Sequence, residues 1–234
     1  KKYPNNTLVS YLDTKYTYKE GAKWINNLVN KLHNVPKGSN IAILTHRSHF
    51  YLLTALSVLS HGSAYVPIDD SYPDERIRFM LKDSNAKVVL VTNETINRVK
   101  KITNIPTINV SNIISNGTLK PLKINAKEDD TAVILYTSGT TGVPKGSLIT
   151  RKAILNLSSW YSNETSLSSE DKIGLYASFG FDVRIISQIS FPFKCLPEIR
   201  PVGGRVGEER PNRQNDQKPF HDIATHKPRT PPRL

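Results

Sequence analysis

The stretch TAVILYTSGTTGVPKG at residues 131–146 decides how this chain is interpreted. Its first six residues, 131–136, are apolar and β-prone, a pattern that predicts a short buried strand. The run 136–146 then combines three glycines, four Ser/Thr hydroxyl groups, one proline and one lysine. We therefore predict a strand that leads directly into a loop suited to a polyphosphate.

The composition of this loop matches a ligand with several negative charges and many acceptor oxygens. Glycine has no side chain, so the backbone can come close to phosphate and turn its N–H groups inward. The hydroxyl groups add further donors. Lys145 adds a compact positive charge on a flexible stem, and Pro144 limits the freedom of the loop just before it.

The run differs from the phosphate loop of the common nucleotide hydrolases, which requires Gly, four residues and then Gly-Lys-Ser/Thr. Here the residue five positions after Gly139 is Pro144, and Lys145 is followed by Gly146. A solvated turn rich in small residues is the plain alternative for any one Ser-Gly-Thr. An ordered run of eleven such residues favours the phosphate loop.

The run at 136–146 resembles the phosphate-binding signature of adenylate-forming enzymes. This superfamily includes acyl- and aminoacyl-activating ligases, luciferases and the adenylation domains of nonribosomal peptide synthetases. Three other stretches resemble core motifs of the peptide-synthetase branch, in matching order: YTYKEGAKWINNLVNKL at 16–32, LSHGSAYVPIDDSYPDERIRFMLKDSNAKVVL at 59–90 (the second core motif) and FGFDVRIISQI at 179–189. The resemblance covers residues 10–192, approximately.

The resemblance implies a two-step reaction. A carboxylate attacks the α-phosphorus of ATP, pyrophosphate leaves, and the acyl group of the adenylate then passes to a thiol, the phosphopantetheine of a partner carrier protein. The signature loop would hold the β- and γ-phosphates and offset charge on the departing pyrophosphate, with Mg²⁺ accompanying the nucleotide. The residues that the resemblance assigns to ATP are Thr137, Ser138, Gly139, Thr140, Thr141, Gly142, Lys145 and Gly146.

The same resemblance gives Asp182 the task of holding the α-ammonium group of an amino acid through a charge-assisted hydrogen bond. A helix N-cap is the structural alternative for this aspartate. Phe181 is assigned to the pocket wall or to the core, and the sequence does not decide between them. Two departures from the family pattern weaken any inference about the substrate: Arg184 stands where Ser is frequent, and Arg151 where His is frequent.

Helix-like and strand-like patterns alternate along the body of the chain, which predicts an α/β fold with a mainly parallel sheet. The resemblance makes this the N-terminal portion of the large subdomain of an adenylate-forming enzyme, with mixed, mainly parallel sheets and flanking helices. The expected strands are 40–45, 87–92, 106–110 and 131–136. The expected helices are one over 22–32, one over 50–59 ended by Gly62, one that starts at Pro73 and buries Ile77, Met80 and Leu81, and one that carries Ala153, Leu157 and Trp160.

The domain interpretation places a partial adenylation domain at 1–193 and a different segment at 194–234. That last segment holds seven of the fifteen prolines and little aliphatic material, so we expect it to be disordered or out of frame. The motifs that resemble the adenine and ribose sites, and the small C-terminal domain, are missing from the sequence. We therefore expect little or no turnover from this polypeptide, and the sequence leaves open whether it is an enzyme on its own.

Competing functions follow from the same observations. The first is an amino-acid adenylation domain, or part of one, that works with carrier and condensation domains in a larger synthetase. A second is a fragment of an acyl-CoA or aryl ligase. A third is a non-catalytic basic binding protein, which the net charge of +12 suggests, and a fourth is an inert or scaffolding remnant.

Several classes of partner are not expected. The lysines are spread along the chain without Arg/aromatic interleaving, so nucleic acid is not an expected ligand. There is no apolar run long enough for a bilayer, and His46 and His49 have no cluster of further ligands for a metal. A single cysteine, Cys195, and an N-terminus without a signal-peptide pattern favour the cytoplasm.

Overall fold

A six-stranded sheet forms the centre of the computed structural model, which describes residues 3–46, 48–137 and 144–164. A separate two-stranded hairpin precedes this sheet in the chain. In chain order the elements are β1 Thr7–Tyr11, β2 Thr14–Thr17, α1 Tyr18–Lys31, β3 Asn40–Leu44, α2 His49–His61, β4 Ala64–Pro67, α3 Asp74–Asp83, β5 Val88–Val91, α4 Ile96–Ile102, β6 Thr107–Asn109, a 3-10 turn at Val110–Asn112, β7 Thr131–Thr137, β8 Lys145–Thr150 and α5 Arg151–Glu164.

The strand order in the large sheet is β6-β5-β3-β4-β7-β8. The first five strands in this order pair in parallel, and β8 pairs antiparallel with β7. The chain passes from β3 to β4 on one side and then, through α3, to β5 on the other side of β3. The prediction of an α/β fold with a mainly parallel sheet is therefore confirmed.

Helices cover both faces of the sheet. Successive side chains of a strand point to opposite faces, so they enter two different apolar clusters. On β3, Ile41 and Ile43 join the cluster that contains Trp24 of α1. Their neighbours Ala42 and Leu44 join the cluster formed with α3 and α4. The predicted buried residues of α3, which are Ile77, Met80 and Leu81, all lie in this second cluster.

The first two long helices begin and end at capping residues. Before α1, the hydroxyl of Thr17 accepts a hydrogen bond from the Glu20 amide at 3.2 Å, and the Glu20 carboxylate accepts one from the Thr17 amide at 2.8 Å. Before α2, Ser48 caps the Phe50 amide at 3.3 Å. Gly62 ends α2 in the left-handed conformation with φ 89°, as the sequence predicted.

The structure corrects two details of the predicted helices. Pro73 is the N-cap of α3 with an extended ψ of 149°, so the helix begins one residue later than predicted, at Asp74. The predicted stripe of α5 is also wrong: Ile154 and Ser158 are buried, whereas Trp160 is 56% exposed. The reason is that α5 packs on β7 and β8 through the side that carries Ile154 and Ser158, one residue further along than the predicted side.

Five of these strands and helices were absent from the predictions: β1, β2, β4, α4 and β8. Strand β4 has only four residues and ends at Pro67, so its pattern is too short to recognise. The strands β1 and β2 are short and mostly exposed or half-buried, so they lack a clear alternation of buried residues. Helix α4 has only seven residues, two of which are lysines in its last turn, and its apolar pattern is too short to recognise. Strand β8 is exposed over its first four residues. Among the described residues no helix is long and apolar enough to cross a membrane.

Candidate functional site

The hairpin formed by β7 and β8 holds the two ends of the signature run next to each other. Thr137, the last residue of β7, is paired with Lys145, the first residue of β8. One step further into the hairpin, Tyr136 is paired with Gly146. Both Thr137 and Lys145 are exposed. Three of the predicted phosphate ligands, Thr137, Lys145 and Gly146, are thus brought together at one end of a rigid ladder.

The remaining predicted ligands of the signature run lie between these two strands. They are Ser138, Gly139, Thr140, Thr141 and Gly142, and they fall outside the described residues. The predicted substrate residues Phe181 and Asp182 also fall outside them, as does the predicted boundary between 193 and 194. The roles given to these residues stay predictions.

The end of the hairpin belongs to the edge of the sheet where ligands usually bind in α/β folds. Because β7 runs parallel to β4, Thr137 lies toward the carboxyl ends of the parallel strands. The residues that follow the other strands at this edge are polar: His46 comes after β3, Asp70 after β4 and Glu94 after β5. The candidate site therefore sits beside a polar edge, which the order of strands assembles from distant parts of the sequence.

The acidic residues at this edge are engaged in contacts within the fold. The ring of His46 forms an ion pair with the Asp70 carboxylate through Nδ1. The carboxylate of Asp69 accepts hydrogen bonds from the Ser71 amide at 3.0 Å and from its hydroxyl at 2.6 Å. Hydrogen bonds from Thr92 and from the backbone lower the pKa of Glu94, and the charge of His46 lowers it further. These contacts indicate that the acidic residues form turns and anchor the ends of the strands.

Arg98 of α4 fixes the loop that follows β4. Its Nε donates to Asp74 Oδ1 at 2.8 Å and its Nη2 to the Tyr72 carbonyl at 2.6 Å, while Nη1 donates to the Asp70 carbonyl. A planar guanidinium with several donors is suited to such a clamp. Sequence reasoning gave Arg98 no role, because a partner 24 to 28 residues away leaves no mark on the local pattern.

Beneath the end of the hairpin lies Tyr136, a buried tyrosine to which the sequence analysis assigned no role. The Tyr136 hydroxyl donates to Oδ2 of Asp83, the last residue of α3, at 2.6 Å. Burial raises the pKa of Tyr136, and the neighbouring Asp83 carboxylate raises it further. A Cβ on Gly146 would lie 3.1 Å from Tyr136 Cζ and 3.1 Å from Ile134 Cγ2. Glycine at 146 therefore lets the hairpin close over the tyrosine ring.

Arg151, which stands where the family often has histidine, contacts the main chain. Its Nη2 donates to the carbonyl oxygens of Leu59 and Ser63, each at 3.1 Å. The first carbonyl lies in the last turn of α2, where a cation is favoured by the helix dipole. Burial lowers the pKa of the Arg151 guanidinium. This side chain joins the start of α5 to the end of α2.

In the parts of the chain that the structure covers, no group of three or more His, Cys, Asp or Glu side chains could hold a metal ion.

Comparisons with known proteins agree on one family. The model of the AMP-binding enzyme family matches residues 1–230. Tyrocidine synthase 1 of Brevibacillus parabrevis is 31% identical over 188 residues, and gramicidin S synthase 1 of Brevibacillus brevis is 33% identical over 191 residues. The matches cover 78% and 79% of this chain but 17% of each of those proteins, so the chain spans about a sixth of their length.

The fold has counterparts among solved structures. The nonribosomal peptide synthetase FmoA3 in its form bound to alpha-methyl-L-serine-AMP superposes with a TM-score of 0.73 at 20% identity. The superposition covers 80% of this chain and 21% of that one. The AMPPNP-bound form of the same protein gives a TM-score of 0.71. At this identity the likeness concerns the fold alone.

Proposed function

We propose, since this chain belongs to the AMP-binding enzyme family and has the fold of the N-terminal part of a peptide-synthetase adenylation domain, that it takes part in activating a carboxylate with ATP. The product would be an acyl-adenylate, with pyrophosphate released. An amino acid is the proposed substrate, and the acyl group would pass to the phosphopantetheine thiol of a carrier protein. Carrier and condensation domains of a larger synthetase are the proposed partners.

The observation that carries the proposal is the pairing of Thr137 with Lys145 at the end of the β7–β8 hairpin. Both side chains are exposed, and among the described residues no carboxylate pairs with the Lys145 ammonium group. An ammonium group that no described carboxylate neutralises is available to an anion. The hydroxyl of Thr137 adds a donor on the facing strand, so the end of the hairpin suits the terminal phosphates of a nucleotide.

In the proposed reaction these residues act on charge. ATP, with bound Mg²⁺, supplies an activated α-phosphorus and a good leaving group. The ammonium group of Lys145 would offset the negative charge that accumulates on the departing pyrophosphate, while Thr137 would fix its orientation. The pairing of β7 with β8 fixes the backbone positions from which these two side chains extend.

The substrate end of the proposal rests on the sequence resemblance. Asp182 is the proposed partner of the substrate ammonium group, and Phe181 the proposed neighbour in the pocket wall. Acyl-CoA and aryl ligases use the same first step, so the acid that is accepted distinguishes them. A preference for amino acids over acids without an amino group supports the peptide-synthetase role, and the reverse preference supports the ligase alternative.

Binding of magnesium pyrophosphate and MgATP to the chain tests the phosphate site directly by isothermal titration calorimetry. We expect Lys145→Ala to weaken binding roughly tenfold or more, because a charge-assisted hydrogen bond contributes about 1.5–3 kcal/mol. Lys101→Ala removes the same charge from an exposed position on α4 and should leave binding unchanged. Equal affinity of wild type and Lys145→Ala would remove this lysine from the site.

ATP–pyrophosphate exchange with a panel of amino acids tests the activity. We expect exchange from a polypeptide that continues the chain through motifs for the adenine and the ribose, and little from the chain alone. Each amino acid that supports exchange identifies a substrate. Substantial exchange by the chain alone would contradict the expectation that ATP is held only by its phosphate end.

A further inference from the structure

We propose that the hydrogen bond between Tyr136 and Asp83 is a positioning connection, which holds the Thr137–Lys145 end of the hairpin in the geometry that binds phosphate. Asp83 lies in the stretch 59–90, the second core motif, for which the proposed function has no role. The connection would make this motif part of the phosphate site without contact to the ligand. This inference rests on the proposed function, because it presumes that the hairpin end binds phosphate.

Tyr136 lies at the end of the hairpin, beside both ends of the phosphate-binding run. It directly precedes Thr137 in β7 and faces Gly146, the residue after Lys145. Its side chain is 4% exposed and lies on the face of the sheet that α3 covers. The ring is in contact range of the Gly146 backbone, as the clash of a Cβ at that position shows. A movement of Tyr136 would therefore move both ends of the phosphate-binding run.

The other end of the hydrogen bond is anchored in α3. Asp83 is the last residue of α3, and the Tyr136 hydroxyl also lies 3.5 Å from the Met80 carbonyl in the same last turn. The helix is fixed by Ile77, Met80 and Leu81 in the core. The tyrosine thus reaches from the hairpin to a rigid element of the fold.

A carboxylate at the end of α3 has an electrostatic cost. A helix C-terminus carries the negative end of the helix dipole, so an aspartate there is electrostatically unfavourable without a donor. The hydroxyl of Tyr136 is such a donor, and its distance of 2.6 Å is typical of a hydrogen bond to a charged acceptor. A neutral acceptor at that point would form a weaker hydrogen bond with the same hydroxyl. The charged acceptor gives a stronger and more directional bond, which suits the task of fixing the tyrosine.

The phosphate site tolerates little displacement of the groups that form it. Groups that stabilise developing charge must be held within about half an ångström of their working positions. Thr137 and Lys145 are exposed, and neither side chain forms a hydrogen bond or an ion pair with another described residue. Their position is set by the ladder, and the ladder is anchored from below by Tyr136. The bond to Asp83 is the polar part of that anchor, and the edge-to-face contact with Phe79 at 6.5 Å is its apolar part.

The test uses two conservative variants and a matched control. Tyr136→Phe removes the donor and keeps the ring, while Asp83→Asn removes the charged acceptor and keeps the shape. Tyr65→Phe is the control, because Tyr65 is fully buried on the neighbouring strand β4, and its hydroxyl has no hydrogen-bond partner within the described ranges. The affinity for magnesium pyrophosphate is measured by calorimetry at a temperature where every variant is folded, and hydrogen exchange of the β8 amides is followed in parallel.

We expect Tyr136→Phe and Asp83→Asn each to weaken pyrophosphate binding roughly three- to tenfold, and the double variant to bind no more weakly than either single one. Asp83→Asn removes a negative charge, which by Coulomb attraction alone would strengthen the binding of an anion. Weaker binding by this variant therefore reports position and not charge. The β8 amides should exchange faster in both variants, and Tyr65→Phe should match the wild type in affinity and exchange.

The outcomes separate the two proposals. If the wild type binds pyrophosphate and Lys145→Ala weakens it, but Tyr136→Phe and Asp83→Asn bind like the wild type, the positioning role is overturned and the phosphate site stands. Additive losses in the double variant would also overturn it, because they would show that the two residues act independently. If the wild type does not bind pyrophosphate, the proposed function is overturned and the positioning role with it.

Discussion

At the scale of single residues, Gly146 shows that one glycine can be required for two reasons. The sequence assigned it to close approach of the backbone to phosphate. The structure adds a packing reason, since the absent side chain leaves room for the ring of Tyr136 and for Ile134. The first reason follows from the local run of small residues. The second depends on what faces position 146 across the hairpin, which the sequence does not state.

Gly146→Ala should therefore reduce the stability of the fold before any ligand is added. The new methyl group would meet two buried side chains at 3.1 Å, and such overpacking costs about 1–3 kcal/mol. Urea unfolding followed by circular dichroism measures the change. Ser147→Ala at the exposed neighbouring position should stay within about 0.5 kcal/mol of wild type. A stable Gly146→Ala variant would show that the tyrosine ring moves aside at little cost.

The residues of the candidate site differ in how far the sequence could identify them. Lys145 and Thr137 are recognisable because their chemistry and their neighbours in sequence point to phosphate. Asp83 is not recognisable, because its partner is 53 residues away and only the fold brings the two together. The ion pair of His46 with Asp70 has the same origin, since it joins the ends of two strands that the order of the sheet makes adjacent.

At the scale of elements, α1 could be predicted from the helical spacing of its apolar residues, and α2 from an apolar run that Gly62 ends. For α5 the spacing of apolar residues predicted the helix but gave the wrong face. Ala153, Leu157 and Trp160 are the more apolar set, yet the packing of α5 on the β7–β8 hairpin selects Ile154 and Ser158. The side of a helix that is buried depends on its neighbour, and no property of α5 alone determines it.

Gly21 in α1 permits a prediction whose sign depends on a neighbouring element. A Cβ at Gly21 would lie 2.4 Å from Leu8 Cδ2, a buried side chain of β1. We expect Gly21→Ala to destabilise the wild type by about 1–3 kcal/mol, because the gain in helix propensity is smaller than the cost of displacing Leu8. In a Leu8→Ala background the clash disappears, and the same substitution should stabilise by up to about 1 kcal/mol. Chemical unfolding of the four proteins measures this cycle, and a destabilising effect in both backgrounds would contradict it.

The capping box of α1 should make a pH-dependent contribution to stability. Hydrogen bonds from the Thr17 amide and hydroxyl lower the pKa of Glu20, so its folded-state pKa lies below the unfolded one. The contribution is fully present above the unfolded pKa and is lost as the pH falls through the lowered folded pKa. Glu20→Gln should therefore be less stable than wild type at pH 7 and should approach it at pH 3, measured by thermal unfolding. A difference that is constant over this range would rule out ionisation of Glu20 as its cause.

Thr17→Ala removes the other half of the same box. The Glu20 amide loses its acceptor, and substitution of an N-cap threonine costs about 0.5–2 kcal/mol. Thr14→Ala on β2 is a suitable control, because it is exposed and outside the cap. Unfolding by urea should show a loss for Thr17→Ala only. Equal losses for the two variants would assign the effect to the strand and not to the helix cap.

At the scale of the whole molecule, the sequence predicted the class of fold but not the arrangement of its strands. Alternating helices and strands imply a parallel sheet, and the predicted strands at 40–45, 87–92, 106–110 and 131–136 locate four of its members. The order β6-β5-β3-β4-β7-β8 could not be predicted in this way, because each buried strand is equally suited to several neighbours. That order places the end of β7 at the same edge as the ends of β3, β4 and β5, and so creates the candidate site.

The net charge of +12 offers a competing explanation for any binding of polyphosphate, and salt separates the two. A diffuse basic surface binds long polyanions through many contacts, so its affinity falls steeply with salt and one lysine matters little. A local site depends on the few groups at the end of the hairpin. We expect the wild type to retain pyrophosphate binding at 150 mM salt, where double-stranded DNA should no longer be bound, and Lys145→Ala to lose far more affinity than Lys101→Ala. Two results together would favour the basic binding protein: efficient competition by DNA at that salt concentration, and equal losses of affinity for the two lysine variants. In that case the whole surface, and not one hairpin, would be attracting phosphate.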